Sequence, residues 1–144
     1  MSEAYQLFQQ GLSALAAGHP DEAIVPLERA KRLEPESMSI HEALGKTYLR
    51  LQFYDRAAGE FGLIVRKEPL DAYAHFCLAR ALDKMQRNRL ARRHYRLATV
   101  FDPQRPIYRD MLRVFLARAY PDGDAHLLDD VDGEDEELRE LLDS

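Results

Sequence analysis

Tryptophan is absent from the 144 residues, and cysteine occurs once, at Cys77. A single thiol makes neither an internal disulfide nor a multi-thiolate metal site, and inside an apolar helical pattern it is expected to pack as a small hydrophobe. No apolar run approaches the roughly 18–20 residues of a membrane-spanning helix. The first ten residues, Met1 to Gln10, lack a basic start followed by an apolar stretch, so a cytoplasmic location is expected. Glycine-rich phosphate loops, zinc-protease motifs and nucleophile elbows are also missing, which argues against an enzyme and against a cofactor. What remains is an ordinary globular composition, 46% apolar and 31% charged, of a length suited to one domain.

The chain is organised by a repeat. Pro35, Pro69 and Pro103 stand 34 residues apart, each after an acidic residue at the end of a helical pattern. Proline stops a helix there because its ring cannot continue the hydrogen-bond ladder. Between the first two prolines lie His41, Leu44-Gly45, Tyr48, Ala57 and Phe61, in that order. The next unit carries His75, Leu78-Ala79, Leu82, Ala91 and Tyr95, and the first carries Leu7, Gln10-Gly11, Ala14, Ala23 and Leu27. Small residues on a first helix and alanine on a second allow two backbones to approach closely. Tyr48, Phe61 and Tyr95 are expected to fill the space between neighbouring helix pairs, each worth about 1.5–3 kcal/mol when fully buried.

This pattern resembles the tetratricopeptide repeat signature, with histidine or leucine where that family usually has tryptophan. The resemblance implies an all-α fold: a right-handed α-solenoid of three helix-turn-helix repeats, about 4–37, 38–71 and 72–105. Helices are expected over 3–17, 21–34, 38–51, 55–67, 72–86 and 88–101, with Ser37, Asp55, Asp71 and Asn88 as N-caps. Pro26 is expected to bend the second helix slightly. A seventh helix, about 106–120, holds Leu112 and Leu116 in the register of another first helix. It is expected to cap the open end of the stack, its arginines outward. The repeat domain thus spans 1–120, followed by a tail over 121–144.

Charge is distributed unevenly. Residues 80–120 hold 11 basic and 3 acidic side chains, whereas 121–144 hold 1 basic and 11 acidic. The acidic tail is expected to be mostly disordered, with a short amphipathic helix available over 134–142. It serves either as a solubilising tail or as a segment that folds back on the basic surface. The basic cluster includes Arg89, Arg92, Arg93 and Arg96, expected on the outer, convex side. Nucleic-acid binding by this 80–118 segment is the alternative it raises, disfavoured by the lack of interleaved aromatics for base stacking.

The resemblance implies protein binding in a concave groove lined by the first helices. The stripe at spacings of three and four reads Tyr5, Phe8, Leu12 and Leu15, then Ser39, Glu42, Lys46 and Leu49, then Tyr73, Phe76, Arg80 and Asp83. Of these, Tyr5, Phe8, Leu12, Glu42, Lys46, Leu49, Tyr73, Phe76 and Arg80 are the candidate partner-binding residues. Such a groove suits an extended or helical peptide with apolar anchors and some negative charge. The family branch that clamps the C-terminal carboxylate of heat-shock chaperones uses lysine, asparagine and arginine at positions occupied here by Phe8, Leu12, Ala43, Tyr73 and Cys77. That recognition is therefore not expected. Small secretion chaperones share the architecture and remain a second alternative, and self-association is left open. His41 and His75 occupy equivalent positions; packing is expected of them, and no metal site, because neither has a carboxylate or histidine three or four residues further on along the same helical face.

Overall fold

The computed structural model describes residues 1–123. The disorder and short helix expected of the tail lie outside those residues. Seven helices follow in order, α1 (Glu3–Ala16), α2 (Pro20–Leu33), α3 (Met38–Arg50), α4 (Tyr54–Lys67), α5 (Ala72–Lys84), α6 (Asn88–Phe101) and α7 (Pro106–Ala119), with no strand among the described residues. Helix α2 continues across Pro26, which is buried within it.

The turns inside each pair repeat with the same 34-residue period. Gly18, Gln52 and Gln86 all have positive φ, at 82°, 65° and 62°. At each turn the N–H of this residue donates to a carbonyl three back, and the next N–H donates to one five back. The second set, His19 to Ala14, Phe53 to Tyr48 and Arg87 to Leu82, measures 2.9 Å in each case. This is the Schellman arrangement, which satisfies the last carbonyls of the first helix. The residue closing it is already the N-cap of the next helix, so the caps are His19, Phe53 and Arg87, without side-chain bonds. The sequence places Asp55 and Asn88 in that role; they lie two residues and one residue later, because backbone geometry and no side-chain oxygen starts these helices. Asp71 does cap α5, accepting from the Ala74 N–H at 3.0 Å, whereas Ser37 holds the position without the bond.

Glutamine in the left-handed region carries a steric cost that glycine does not. Both glutamines are exposed. Gln52→Gly and Gln86→Gly are each expected to stabilise the fold by about 0.5–1 kcal/mol, read as a rise in the urea midpoint at unchanged slope.

Packing within a pair depends on a small residue facing a large one. A β-carbon at Gly11 would lie 2.4 Å from the Leu27 side chain, and one at Gly45 would lie 2.5 Å from the Phe61 ring. Leu27 and Phe61 are fully buried. Phe61 therefore fills its own repeat, against the glycine of the facing helix, and does not bridge neighbouring pairs as expected from the sequence. Links between repeats come instead from Tyr48, whose hydroxyl donates to Glu28 of α2, and from Arg50, whose guanidinium donates to the Leu15 carbonyl at 2.9 Å. Helix α7 is anchored chiefly by Tyr108 and Phe115, both buried, while Leu112 and Leu116 pack on the core half-buried. The Tyr108 ring lies 4.9 Å from Phe76 and the Phe115 ring 5.2 Å from Tyr95.

Candidate functional site

Helix α1 touches α3 directly, and α3 touches α5, so the first helices of the pairs form a continuous inner row. Positions 5, 39, 73 and 107 are equivalent along that row, as are 12, 46, 80 and 114. Tyr5 is exposed at its α1 end, and Phe8, Leu12, Leu49, Tyr73 and Phe76 are half-buried against the core. Phe76 is largely structural, wedged between Tyr95 and Tyr108. Ile107 and Val114 of α7, 49% and 58% exposed, continue the two rows beyond the stripe read from the sequence. Their signal lies in the 34-residue spacing, which gives α7 groove positions as well as the capping role expected of it.

The middle of the row is neutral in balance. Lys46 pairs with Glu42 at 3.1 Å and stands 5.2 Å from the Tyr73 ring centroid. The α7 end is different: a cleft of about 520 Å³ opens there between the inner helices, the start of α4 at Tyr54 and the middle of α6 at Tyr95. Arg80, Lys84 and Arg118 line it together with Asp83, over a floor that includes Leu49 and Met111. Ala43 and Cys77, at positions where the chaperone-binding branch places ligand-holding side chains, are 3% and 1% exposed and unavailable to any ligand. Burial also pushes the Cys77 thiol up to about 11, consistent with a packing role.

The two signature histidines do more than pack. His41 Nε2 lies 2.6 Å from the Pro35 carbonyl oxygen, and Nδ1 lies 2.6 Å from a Glu60 carboxylate oxygen. Two acceptors require both ring nitrogens to carry protons, so His41 is an imidazolium at this site. Burial opposes that charge, but the Glu60 hydrogen bond, the Pro35 carbonyl and the Glu60 charge outweigh it and raise the His41 pKa. Lys31 of α2 completes the group, donating to Glu60 at 2.8 Å.

One repeat later the equivalents of His41 and Glu60 are His75 and His94. His75 Nε2 donates to the Pro69 carbonyl oxygen at 2.7 Å, leaving Nδ1 to accept from His94 Nδ1–H at 2.9 Å. Both rings are thereby neutral. Burial lowers both pKa values, that of His94 to about 3, with repulsion from His75 and Arg93 adding to it. His94 Nε2 is buried with no hydrogen-bond partner among the described residues. The same position is thus charged in one repeat and neutral in the next, according to the residue 19 positions on. Each histidine bonds the facing helix of its own repeat and the proline that closes the repeat before it, and not its equivalent. Among the described residues no group of three or more His, Cys, Asp or Glu is placed to hold a metal.

The basic cluster is dispersed. Arg89 and Arg96 are exposed, but Arg92 is 1% exposed, its guanidinium 5.6 Å from the Tyr120 ring centroid, so it does not stand on the convex surface as expected. The helical phase explains this: position 92 is equivalent to Ala58, itself buried. Arg105 pairs with Asp102 across the turn between α6 and α7, and Arg113 pairs with Asp110 along α7. No described helix is long and apolar enough to cross a membrane.

Comparison with known proteins agrees with this architecture. A search of curated proteins gave no match. Among solved structures, MamA from Desulfovibrio magneticus RS-1 superposes with a TM-score of 0.80 at 20% identity, covering 96% of this chain and 75% of that one. A double mutant of MamA from RS-1 gives the same TM-score and identity, covering 96% and 74%. MamA from AMB-1 gives 0.72 at 22% identity, covering 96% and 72%. At such identities the likeness shows the fold alone. The tetratricopeptide repeat profile, however, matches the sequence itself over residues 8–63 and 42–106. With the periodic turns, the small-to-large pairs and the paired helices all in that register, the chain belongs to the tetratricopeptide repeat family.

Proposed function

We propose that this protein is a non-enzymatic adaptor that holds a segment of another protein along the inner row of α1, α3, α5 and α7. Membership of the repeat family supports a protein-interaction scaffold. The observation that carries the finer reading is that exposed apolar side chains stand at both ends of these rows of equivalent positions, Tyr5 on α1 and Ile107 and Val114 on α7. Half-buried Phe8, Leu12, Leu49 and Tyr73 lie between them, beside the polar positions of α3 and α5. Aromatic and aliphatic groups fixed on rigid helices offer contact area at small entropic cost, which suits a bound peptide.

The test uses exposed residues, because truncating Phe76 would also open the core around Tyr95 and Tyr108. Tyr5→Ser, Ile107→Ser and Val114→Ser are combined in one variant. Val25→Ser and Val100→Ser, 64% and 66% exposed on the second helices, form the control. Affinity capture from the native cytosol is expected to lose a protein partner only with the inner variant, by about tenfold or more, at unchanged melting temperature. Retention of the partner by the inner variant, or its loss with the outer one, contradicts the reading.

A further inference from the structure

We infer that the cleft at the α7 end of the groove receives a carboxylate side chain from an acidic segment of the partner protein. This rests on the groove reading above and adds the chemistry at one end of it. Three cations and one carboxylate line the cleft. That carboxylate, Asp83, is already engaged: Arg118 donates to its two oxygens at 2.8 and 2.6 Å, and the Tyr95 hydroxyl donates to it at 3.3 Å. Arg80 and Lys84 stand four residues apart on α5, both exposed, and neither forms an ion pair with any described residue. Arg80 lies 5.9 Å from the Phe76 ring centroid, which steadies the guanidinium where α5 faces the cleft.

The cleft therefore presents two uncommitted positive charges beside a filled Arg118–Asp83 pair. Its floor is apolar at Leu49 and Met111, both half-buried. A ligand matching this has an acidic side chain next to an aliphatic one. A polyphosphate backbone fits less well, since Asp83 faces the same space and the floor rewards apolar contact. The site also differs from a clamp for a chain terminus, whose family positions are filled here by Phe8, Leu12, Ala43, Tyr73 and Cys77. About 520 Å³ falls in the range of built ligand clefts and accommodates a few side chains.

The experiment titrates the isotopically labelled full chain with capped nine-residue peptides and follows backbone amide shifts. One peptide has a Leu-Glu-Glu-Leu core flanked by serines, and the other has glutamine in place of both glutamates. The glutamate peptide is expected to bind about fivefold to tenfold more tightly at 50 mM salt, shifting amides of Lys84, Gln86 and Arg118. The preference is expected to vanish in Arg80→Glu/Lys84→Glu and to fade at 0.5 M salt. Equal binding of the two peptides, or a preference that survives charge reversal, overturns the inference while leaving the groove intact. Loss of all binding at the α7 end with capture still dependent on Tyr5, Ile107 and Val114 does the same. Binding that appears only after Asp129, Asp130 and Asp132 are changed to asparagine assigns the cleft to the chain's own acidic tail and overturns a partner occupant. Equal competition by single-stranded RNA overturns the peptide class.

Discussion

Replacing Phe61 with alanine is expected to lower the unfolding free energy by about 3–5 kcal/mol, as much as the whole stability of many domains of this size. The ring is fully buried and its edge occupies the space that a β-carbon at Gly45 would need. Both the transfer energy of the ring and the cavity left behind contribute, because two helices held apart by their other contacts cannot collapse onto the gap. The complementary change works from the opposite side. Gly45→Ala gains helix propensity of about 1 kcal/mol but drives a methyl into the ring, and overpacking of this kind costs about 1–3 kcal/mol. Gly59→Ala on α4 meets nothing within 4 Å, so only the propensity gain applies. Urea denaturation should therefore show Gly59→Ala stabilised and Gly45→Ala neutral or destabilised, two glycines that respond differently on facing helices of one repeat. A mild effect of Phe61→Ala would mean that the small-to-large contact does not hold the pair together.

Acid is expected to weaken the fold through His94. Buried and neutral, it keeps a folded pKa of about 3, while the unfolded chain takes up its proton near 6.5. As pH falls below about 6.5 the unfolded state binds a proton that the folded state refuses, and stability drops by about 1.4 kcal/mol per pH unit. At pH 4.5 the loss amounts to about 2–3 kcal/mol, with His75, also lowered, adding in the same direction. His41 works in the opposite sense. Its raised pKa makes a contribution that is complete below about 6.5 and disappears as pH rises through the folded value. The lowered pKa of Glu60 gives a contribution present above about 4.5 and lost as pH falls through the folded value. His94→Gln keeps a neutral donor beside His75 and removes the titration. Its urea midpoint should fall far less between pH 7.5 and 4.5 than that of the parent protein, and an equal fall in both proteins would contradict the assignment.

The comparison of these two histidine sites shows what the sequence made legible. The 34-residue recurrence of proline, alanine and small residues exposed the helix pairs directly, and the helix ends fall within two residues of those expected. The recurrence worked because each repeat solves the same packing problem with the same backbone. Side chains that differ between repeats were harder to read. Glu60 stands 19 residues from His41 on the facing helix, so a search along one helical face for a partner three or four residues away passes over it. Gln52 and Gln86 gave no sign of a left-handed turn, since only Gly18 carries the residue type that marks one. Arg92 looked like a surface charge because composition ignores helical phase, although its alignment with Ala58 pointed inward.

The candidate groove is legible to a similar degree. Leu12, Lys46, Arg80 and Val114 share one repeat position, and the row they form was visible as far as α5. What the sequence concealed was the distribution of charge along it. Glu42 neutralises Lys46 in the middle, and Arg118 reaches back from α7 to engage Asp83, so net positive charge is concentrated at one end. These pairings join residues four and 35 positions apart, and only the second required the folded arrangement to be seen.

Site-specific photo-crosslinking tests the inner-row account most directly. A benzophenone side chain is placed in the full chain at Leu12 or Val114 on the inner row, or at Val25 or Val100 on the second helices, and irradiated with the captured partner bound. Covalent adducts to a single partner segment are expected from the inner positions and absent from the outer ones. Adducts confined to Val25 and Val100 would place the partner on the opposite face and refute the groove.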